Sequence, residues 1–397
     1  MSKTKYQNFS LFDGHEAKLQ PNASFVVDNA TGRLVADTGD ADHTVDLSGK
    51  YVMPGLINAH THMMMNPQTN KLTYLSEAEV TYTALNNLKE LLHAGVTSIR
   101  DCGCAFDVDI KLARLRAEGA KFPSPQIIAS GRPMSITGGH GDFTEGWSGN
   151  TTWGHLTDSP DEMRKAVRHA FKYGAKNIKL MATGGVMSAT DQVDDTELSL
   201  DEIKTAVAEA HSKHMTVAAH AEGADGIHLA ILGGVDSVEH GSFIRDEDIQ
   251  LMAEKGIYLT PTLIAGYTIP TYGKGKLPQY MIDKGAASLK IYFKRIAAAI
   301  RGGVKISFGT DAGTPFNGFK DTPVELQLLT QVGATNYQAL FAASRNSAKL
   351  LHIDQDYGSL ETGKFADFLV LDADPTADVK AVQQTDKGVY QHGVKVN

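Results

Sequence analysis

The chain has 397 residues, is 42% apolar and 21% charged, and carries a net charge of −8. It is long and apolar enough to bury a large core. The acidic balance excludes nucleic acid and anionic membrane as main partners, and two cysteines exclude a disulfide framework. The opening residues carry no apolar leader and no apolar run is long enough to span a bilayer, so a soluble cytoplasmic protein is expected. Fifteen histidines stand out against this ordinary composition.

In chain order, the head is strand-rich. Residues 24–28 run into the turn Asn29-Ala30-Thr31-Gly32, residues 33–37 follow as in a hairpin, and 44–47 lead into Gly49. From Met53-Pro54-Gly55 onward, apolar strands alternate with amphipathic helices. Eight strands are expected at 56–62, 97–101, 126–130, 177–181, 216–220, 236–240, 257–262 and 305–311. Helices are expected at 77–94, 160–173, 200–213 and 246–255. Ser199-Leu200-Asp201-Glu202 is a cap signal, and Gly95, Gly174 and Gly256 are stop signals.

This alternation predicts an α/β fold of the (β/α)8 TIM-barrel type. A doubly wound sheet would carry a Gly-rich phosphate loop after its first strand, and none is present. Residues 266–278, rich in Gly, Pro and Tyr, read as a long loop after the seventh strand. The tail is strand-rich again at 365–371 and 388–396. Head and tail, residues 1–54 and 352–397, are expected to form one small β-sandwich domain beside a barrel of residues 55–351.

The chemistry starts at Asn58-Ala59-His60-Thr61-His62. Side chains two apart on a strand share a face, so His60 and His62 point together. They do so at the end of the first strand, where barrel active sites form, and paired imidazoles suit a metal. Lys179 stands inside the fourth strand, where burying an ammonium is costly. It either snorkels to the barrel end or has reacted with carbon dioxide to give an anionic carbamate able to bridge two metals. His220, His240 and Asp311 end the fifth, sixth and eighth strands. Singly, each is explained as a hydrogen-bonded core histidine or a helix cap. Together, ligand-type residues at the C-terminal ends of five strands read as a metal site.

His140, in the loop Thr137-Gly138-Gly139-His140-Gly141-Asp142 after the third strand, opens onto the same face and is expected to contact substrate. His93, His169, His211 and His214 fall on predicted helices, and His15, His43 and His392 in the strand-rich head and tail. His228 and His352 read as ordinary, and His155 is unassigned.

These segments resemble the amidohydrolase superfamily. The similarity is to its imidazolonepropionase-related and Xaa-Pro dipeptidase-like branch, which includes zinc carboxypeptidases of N-acylated amino acids and ochratoxinase-like enzymes. The matching stretches are residues 49–62, 95–101 and 363–371. Asn58 stands where the family more often has Asp. Cys102-Gly103-Cys104 also departs from the family pattern and reads as two small buried residues.

The resemblance implies two divalent metal ions, zinc first. His60, His62 and Asp311 would hold one and His220 and His240 the other, with carboxylated Lys179 bridging them. The expected reaction is amide hydrolysis by a metal-bound hydroxide, available because the metal lowers the pKa of water to about 7. Asp311 would act as general base and then acid, with His140 at the developing oxyanion or the substrate carboxylate. A dipeptide or N-acyl amino acid is the first substrate class and a cyclic amide the second, with ester, lactone or carbamate hydrolysis as rivals on the same metals. A one-metal decarboxylase and an inactivated binding protein are further alternatives, the latter opposed by retention of all six ligands. Residues 130–153 and 262–277 are expected to line the pocket, with Tyr267 and Tyr272 available to substrate. The implied partners are a small-molecule amide and further copies of the chain in a homo-oligomer.

Overall fold

The computed structural model describes residues 2–68, 76–143 and 153–397. Five strands open the chain: β1 (Lys3–Leu11), β2 (Gln20–Asp28), β3 (Arg33–Val35), β4 (His43–Asp46) and β5 (Tyr51–Pro54). β1 has no clean alternation because a bulge at Asn8 (φ 67°) shifts the register between Gln7 and Phe9. The bulge lets Tyr6 and Phe9, three apart in sequence, both turn inward.

The barrel begins with β6 (Leu56–Thr61), β7 (Val96–Asp101) and β8 (Gln126–Ile128), which pair in parallel. Two short strands follow, β9 (Met134–Ser135) and β10 (His155–Leu156). A second parallel run holds β11 (Asn177–Met181), β12 (Thr216–Ala221), β13 (Ser237–His240), β14 (Tyr258–Thr260) and β15 (Lys305–Ile306). Backbone bonds close both seams. Lys176 N–H donates to Ala129 O at 2.8 Å, Ala59 N–H to Phe308 O at 2.7 Å, and Asp311 N–H to His60 O at 2.8 Å. Every residue of β6, β7, β11 and β12 is buried, as expected for parallel strands covered on both faces.

The helices around the barrel are α1 (Glu77–His93), α2 (Val108–Ala117), α3 (Pro160–Tyr173), α4 (Leu200–His211), α5 (Ala224–Gly233), α6 (Asp246–Lys255), α7 (Leu263–Tyr272), α8 (Gln279–Arg301), α9 (Val324–Gln331), α10 (Asn336–Phe341) and α11 (Ser347–Leu350). Ser76 with Glu79 and Ser199 with Glu202 form reciprocal capping boxes. Among the described residues no helix is long and apolar enough to cross a membrane.

The expected long loop at 266–278 is instead mostly helical. α7 carries Pro270 in its interior, and the fully buried Glu325 of α9 holds its start. The Glu325 carboxylate accepts Leu263 N–H and Ile264 N–H, both at 2.8 Å. A capping group some sixty positions away leaves no local signal. Of the expected pocket loop 130–153, residues 144–152 lie outside the described residues.

The tail returns to the head as β16 (Phe368–Leu371), β17 (Gly388–Gln391) and β18 (Val394–Lys395). β16 pairs antiparallel with β5, which gives one sheet in the order β18-β17-β16-β5-β1-β2-β3, with β4 also on β1. In a flat sheet Tyr6 of β1 and Tyr390 of β17 would be about 14 Å apart, three strand spacings. Their rings lie 5.7 Å apart, so the sheet folds over on itself into two layers around Tyr6, Phe9, Val27 and Phe368.

Burial pushes the Glu325 carboxyl up to about 8, against the opposing pull of its two N–H bonds. The unfolded value is about 4.3. A carboxyl raised in the folded state favours folding below its unfolded pKa and loses that contribution as pH rises through the folded one. Stability measured by urea unfolding should therefore fall between about pH 4 and pH 8, and Glu325→Gln should flatten part of that slope. An unchanged slope in the variant would assign the pH dependence to other groups.

Candidate metal centre

The C-terminal ends of the barrel strands converge on one cavity. His60 reaches it from β6 and His62 from the residue after it, Lys179 from β11, His220 from β12, His240 from β13, and Asp311 from the segment after β15. Donor atoms of His60, His240 and Asp311 all lie within 4.8 Å of one another. The His60–His62, His60–His240 and His220–His240 ring centroids are 5.5, 5.0 and 4.7 Å apart. His240 at the end of β13, Thr262 just past β14 and Asp311 in the segment after β15 have φ of 69°, 49° and 56°. Left-handed backbone at non-glycine residues costs on the order of 1–3 kcal/mol each and tends to collect at functional sites.

Each imidazole has one nitrogen tethered behind it. His60 Nδ1 donates to Glu239 Oε2 at 2.7 Å, His62 Nδ1 to Gly103 O at 3.2 Å, and His220 Nε2 to Gly184 O at 3.0 Å. His240 Nδ1 pairs with Thr262 Oγ1 at 2.7 Å. The carboxylate and carbonyl tethers fix the tautomers of His60, His62 and His220 and leave their second nitrogens as lone-pair donors, while the Thr262 hydroxyl can serve His240 Nδ1 as donor or acceptor.

Burial, joined by neighbouring His and Lys charges, pushes His220 and His240 well below the ordinary imidazole range. His62 is lowered too, by burial first. Burial alone would raise Asp311, but the neighbouring His60 and His62 imidazoles outweigh it and hold the carboxyl well below the usual range.

This donor set fits a metal. With Nδ1 as the donor, the Nε2 lone pairs of His60 and His62 face Asp311 Oδ1 at 3.4 and 3.2 Å. Lone pairs opposed at that range call for a cation between them. Lys179 is 1% exposed, and among the described residues its Nζ has a single hydrogen-bond partner, His60 Nε2 at 3.4 Å. An ammonium so placed lacks a counter-ion of its own, whereas a carbamate there would be an anionic oxygen ligand facing the same imidazoles.

His140 also lines the cavity. Its ring stacks on His220 at 4.5 Å, and its Nδ1 donates to Asp191 Oδ2 at 3.2 Å. Lys284 of α8 ties that Asp191 loop down, donating to Gly185 O at 3.0 Å, Ser188 O at 2.9 Å and Asp191 Oδ1 at 3.3 Å. A Cβ at Gly185 would lie 2.4 Å from His140 Cε1, so only glycine lets the loop lie against the ring.

Tyr267 does not join the group. It is 37% exposed, its ring centroid is 6.1 Å from that of Tyr272, and it is absent from the cavity wall. Because 263–272 is a helix, Ala265, Gly266 and Ile269 share the inward face, and Tyr267 falls on the other side at 100° per residue. Cys102 and Cys104 are buried free thiols, and burial pushes Cys102 up to about 12. None of the ten histidines set aside lines the cavity.

Four functional neighbours were missed by the sequence reading. Glu239 and Arg100 carried a usable signal, a charge inside a buried strand. Glu222 and Asp191 carried none, since their settings depend on residues far away in the chain. Arg100 is fully buried and donates to Glu239 Oε1 at 2.7 Å, Ala59 O at 2.6 Å and Ser237 Oγ at 3.1 Å.

The amidohydrolase family profile matches residues 51–394. The chain is 32% identical over 362 residues to ochratoxinase of Aspergillus niger, covering 84% of this chain and 72% of that one. Its backbone follows the crystal structure of a Xaa-Pro dipeptidase with methionine bound in the active site, with TM-score 0.91 and 29% identity over the whole of both chains. It also follows a prolidase complexed with N-methylphosphonate-L-proline, with TM-score 0.89 and 28% identity over 100% and 99% of the two chains.

Replacing Arg100 with methionine would leave Glu239 buried without its guanidinium partner, held, among the described residues, only by His60 and Ser237. We expect Arg100→Met to cost about 3–5 kcal/mol, as removal of one partner of a buried ion pair does, measured by denaturant unfolding. A loss below about 1 kcal/mol would show that the network tolerates an unpaired carboxylate.

Proposed function

Because the chain belongs to the amidohydrolase family, we propose that it is a binuclear metal-dependent hydrolase of amide bonds, acting on a dipeptide or an N-acyl amino acid. The observation that carries this reading is the convergence of His60, His62, Lys179, His220, His240 and Asp311 on one cavity wall, with tethered imidazoles presenting free lone pairs. His60, His62 and Asp311 would hold one ion, His220 and His240 the other, and Lys179 as its carbamate would bridge them. Divalent zinc suits these donors and, when bound, polarises a carbonyl and lowers the pKa of water to about 7.

The chain's own residues then have separate tasks. Asp311 takes a proton from the attacking water and delivers it to the leaving nitrogen. His140, as an imidazolium paired through Nδ1–H with the Asp191 carboxylate, would donate from Nε2–H to the developing oxyanion or to the substrate carboxylate. Met65, Phe143, Trp153, Met187 and Ile269 form an apolar wall that excludes water and receives an apolar side chain. The names carried by the relatives, a Xaa-Pro dipeptidase and an ochratoxinase, support carbon–nitrogen bond cleavage over ester or lactone cleavage.

Asp311→Asn should keep the fold and lose turnover by about 10²- to 10⁴-fold on a panel of dipeptides and N-acyl amino acids, and full activity would remove the proton-transfer role. Elemental analysis should find two divalent ions per chain. Labelled bicarbonate should give a carbamate signal that Lys179→Ala abolishes. Glu239→Gln, which loosens the tether on His60, should weaken metal affinity by about 10- to 100-fold. One ion per chain with no carbamate would favour a mononuclear lyase instead.

A further inference from the structure

We propose that Glu222 anchors the free α-ammonium of the substrate, so that the enzyme takes dipeptides with unblocked N-termini in preference to N-acylated amino acids. This rests on the amide-hydrolase reading and narrows its substrate class.

Glu222 directly follows β12, two residues beyond His220, and its side chain forms part of the cavity wall. It is held at both ends. Ser242 Oγ–H donates to its Oε2 at 2.6 Å, and its own N–H donates to Thr183 Oγ1 at 3.0 Å. Its other oxygen is uncommitted. Among the described residues the nearest basic atom to Oε1 is His220 Nε2 at 4.0 Å, beyond hydrogen-bond range, and that nitrogen is already committed to Gly184 O.

The wall also lacks a counter-charge. Among the described residues that line the cavity, Lys179 is the single lysine or arginine, and it lies against His60. Among the described residues the wall has two carboxylates, of which Asp311 faces His60 and His62 within the ligand cluster. Glu222, only 8% exposed, is therefore a largely buried carboxyl group with one oxygen open to the cavity and, among the described residues, no lysine or arginine paired with it. Such a group is costly unless a partner arrives. A primary ammonium satisfies it with a charge-assisted hydrogen bond.

Position selects among ammonium groups. Oε1 lies near His220, on the Nε2 side of the ring rather than the Nδ1 side left for an ion, so its partner sits within an imidazole's width of the ligand cluster. That is where the α-amine of a dipeptide lies, one carbon from the scissile bond. The terminal amine of a lysine side chain would lie several bonds further out. An N-acyl amino acid brings neither charge nor N–H to this place, and would leave the carboxylate unpaired against an apolar acyl group.

The test compares L-leucyl-L-proline with N-acetyl-L-leucyl-L-proline on the metal-loaded wild type and Glu222→Gln, after confirming equal metal content and fold. A calorimetric titration with L-leucinamide and N-acetyl-L-leucinamide reads binding without turnover. Blocking the amine should lower wild-type kcat/KM by about 10- to 100-fold, mostly through KM. Glu222→Gln should lose a similar factor on the free dipeptide, lose nothing on the acetylated one, and weaken L-leucinamide binding alone. Equal kcat/KM for the two dipeptides in the wild type would overturn the ammonium subsite and leave the hydrolase reading standing. An equal loss on both in Glu222→Gln would overturn it too, reducing Glu222 to support for His220. No hydrolysis of either dipeptide, with Glu222-dependent L-leucinamide binding intact, would remove the hydrolase reading and keep the subsite.

Discussion

The buried carboxylate of Glu239 is the constraint on which the rest of the site depends. It lies at the bottom of the barrel's catalytic end, fully out of water, between the Arg100 guanidinium on one oxygen and His60 Nδ1 on the other. Burial alone would raise its pKa; the Arg100 charge and the His60 hydrogen bond reverse this and keep it ionised. One anion thus neutralises a cation that would otherwise be stranded in the core and fixes the tautomer of the most deeply buried imidazole. Neither partner can be removed cheaply, since a lone buried charge costs several kcal/mol. Arg100 also donates to Ala59 O and Ser237 Oγ, which stitches β7 to β6 and β13 below the cavity.

Above that foundation the histidines are arranged by tethers to neighbouring strands and loops. A carbonyl at Gly103 holds His62, one at Gly184 holds His220, and the Thr262 hydroxyl faces His240. The acceptors come from segments after the second, fourth and seventh strands, so the cluster exists only when the barrel is closed. The Gly184–Asp191 loop has a double role. It tethers His220 from one residue and, through Asp191, orients His140 from another, while Lys284 pins the loop to α8. The cavity wall pairs this polar end with methionine, tryptophan and isoleucine side chains. That division suits a ligand with a reacting polar centre and an apolar flank.

The strand ends were legible because strand periodicity is strict. His60 and His62 are two apart, and parallel strands point the same way, so residues closing several apolar runs must share one rim. The structure brings all six of these residues to one cavity. Asn58, which departs from the family's usual Asp, ties β6 to the eighth strand by donating to Thr310 Oγ1 at 2.7 Å. Where the reading failed, the cause was a distant partner or a broken period. β1 lost its alternation to the bulge at Asn8. α7 looked like a loop because its proline and glycine are punctuation signals, while the carboxylate that stabilises its start belongs to α9. Tyr267 was misplaced with it, because a helix and a loop aim the same residue in different directions.

By itself the sequence determined the order of the eight principal barrel strands, the His, Lys and Asp near their ends and the union of head and tail in one sheet. These follow from local patterning, which any short window of the chain carries. Tertiary structure alone decided which nitrogens of His60, His62 and His220 are free, which carboxylates are already paired and which one, Glu222, faces the cavity with no basic group of the described residues in hydrogen-bond range. Those properties depend on distances between groups tens to hundreds of residues apart, and on the exclusion of water around them. Neither exists until the barrel has closed.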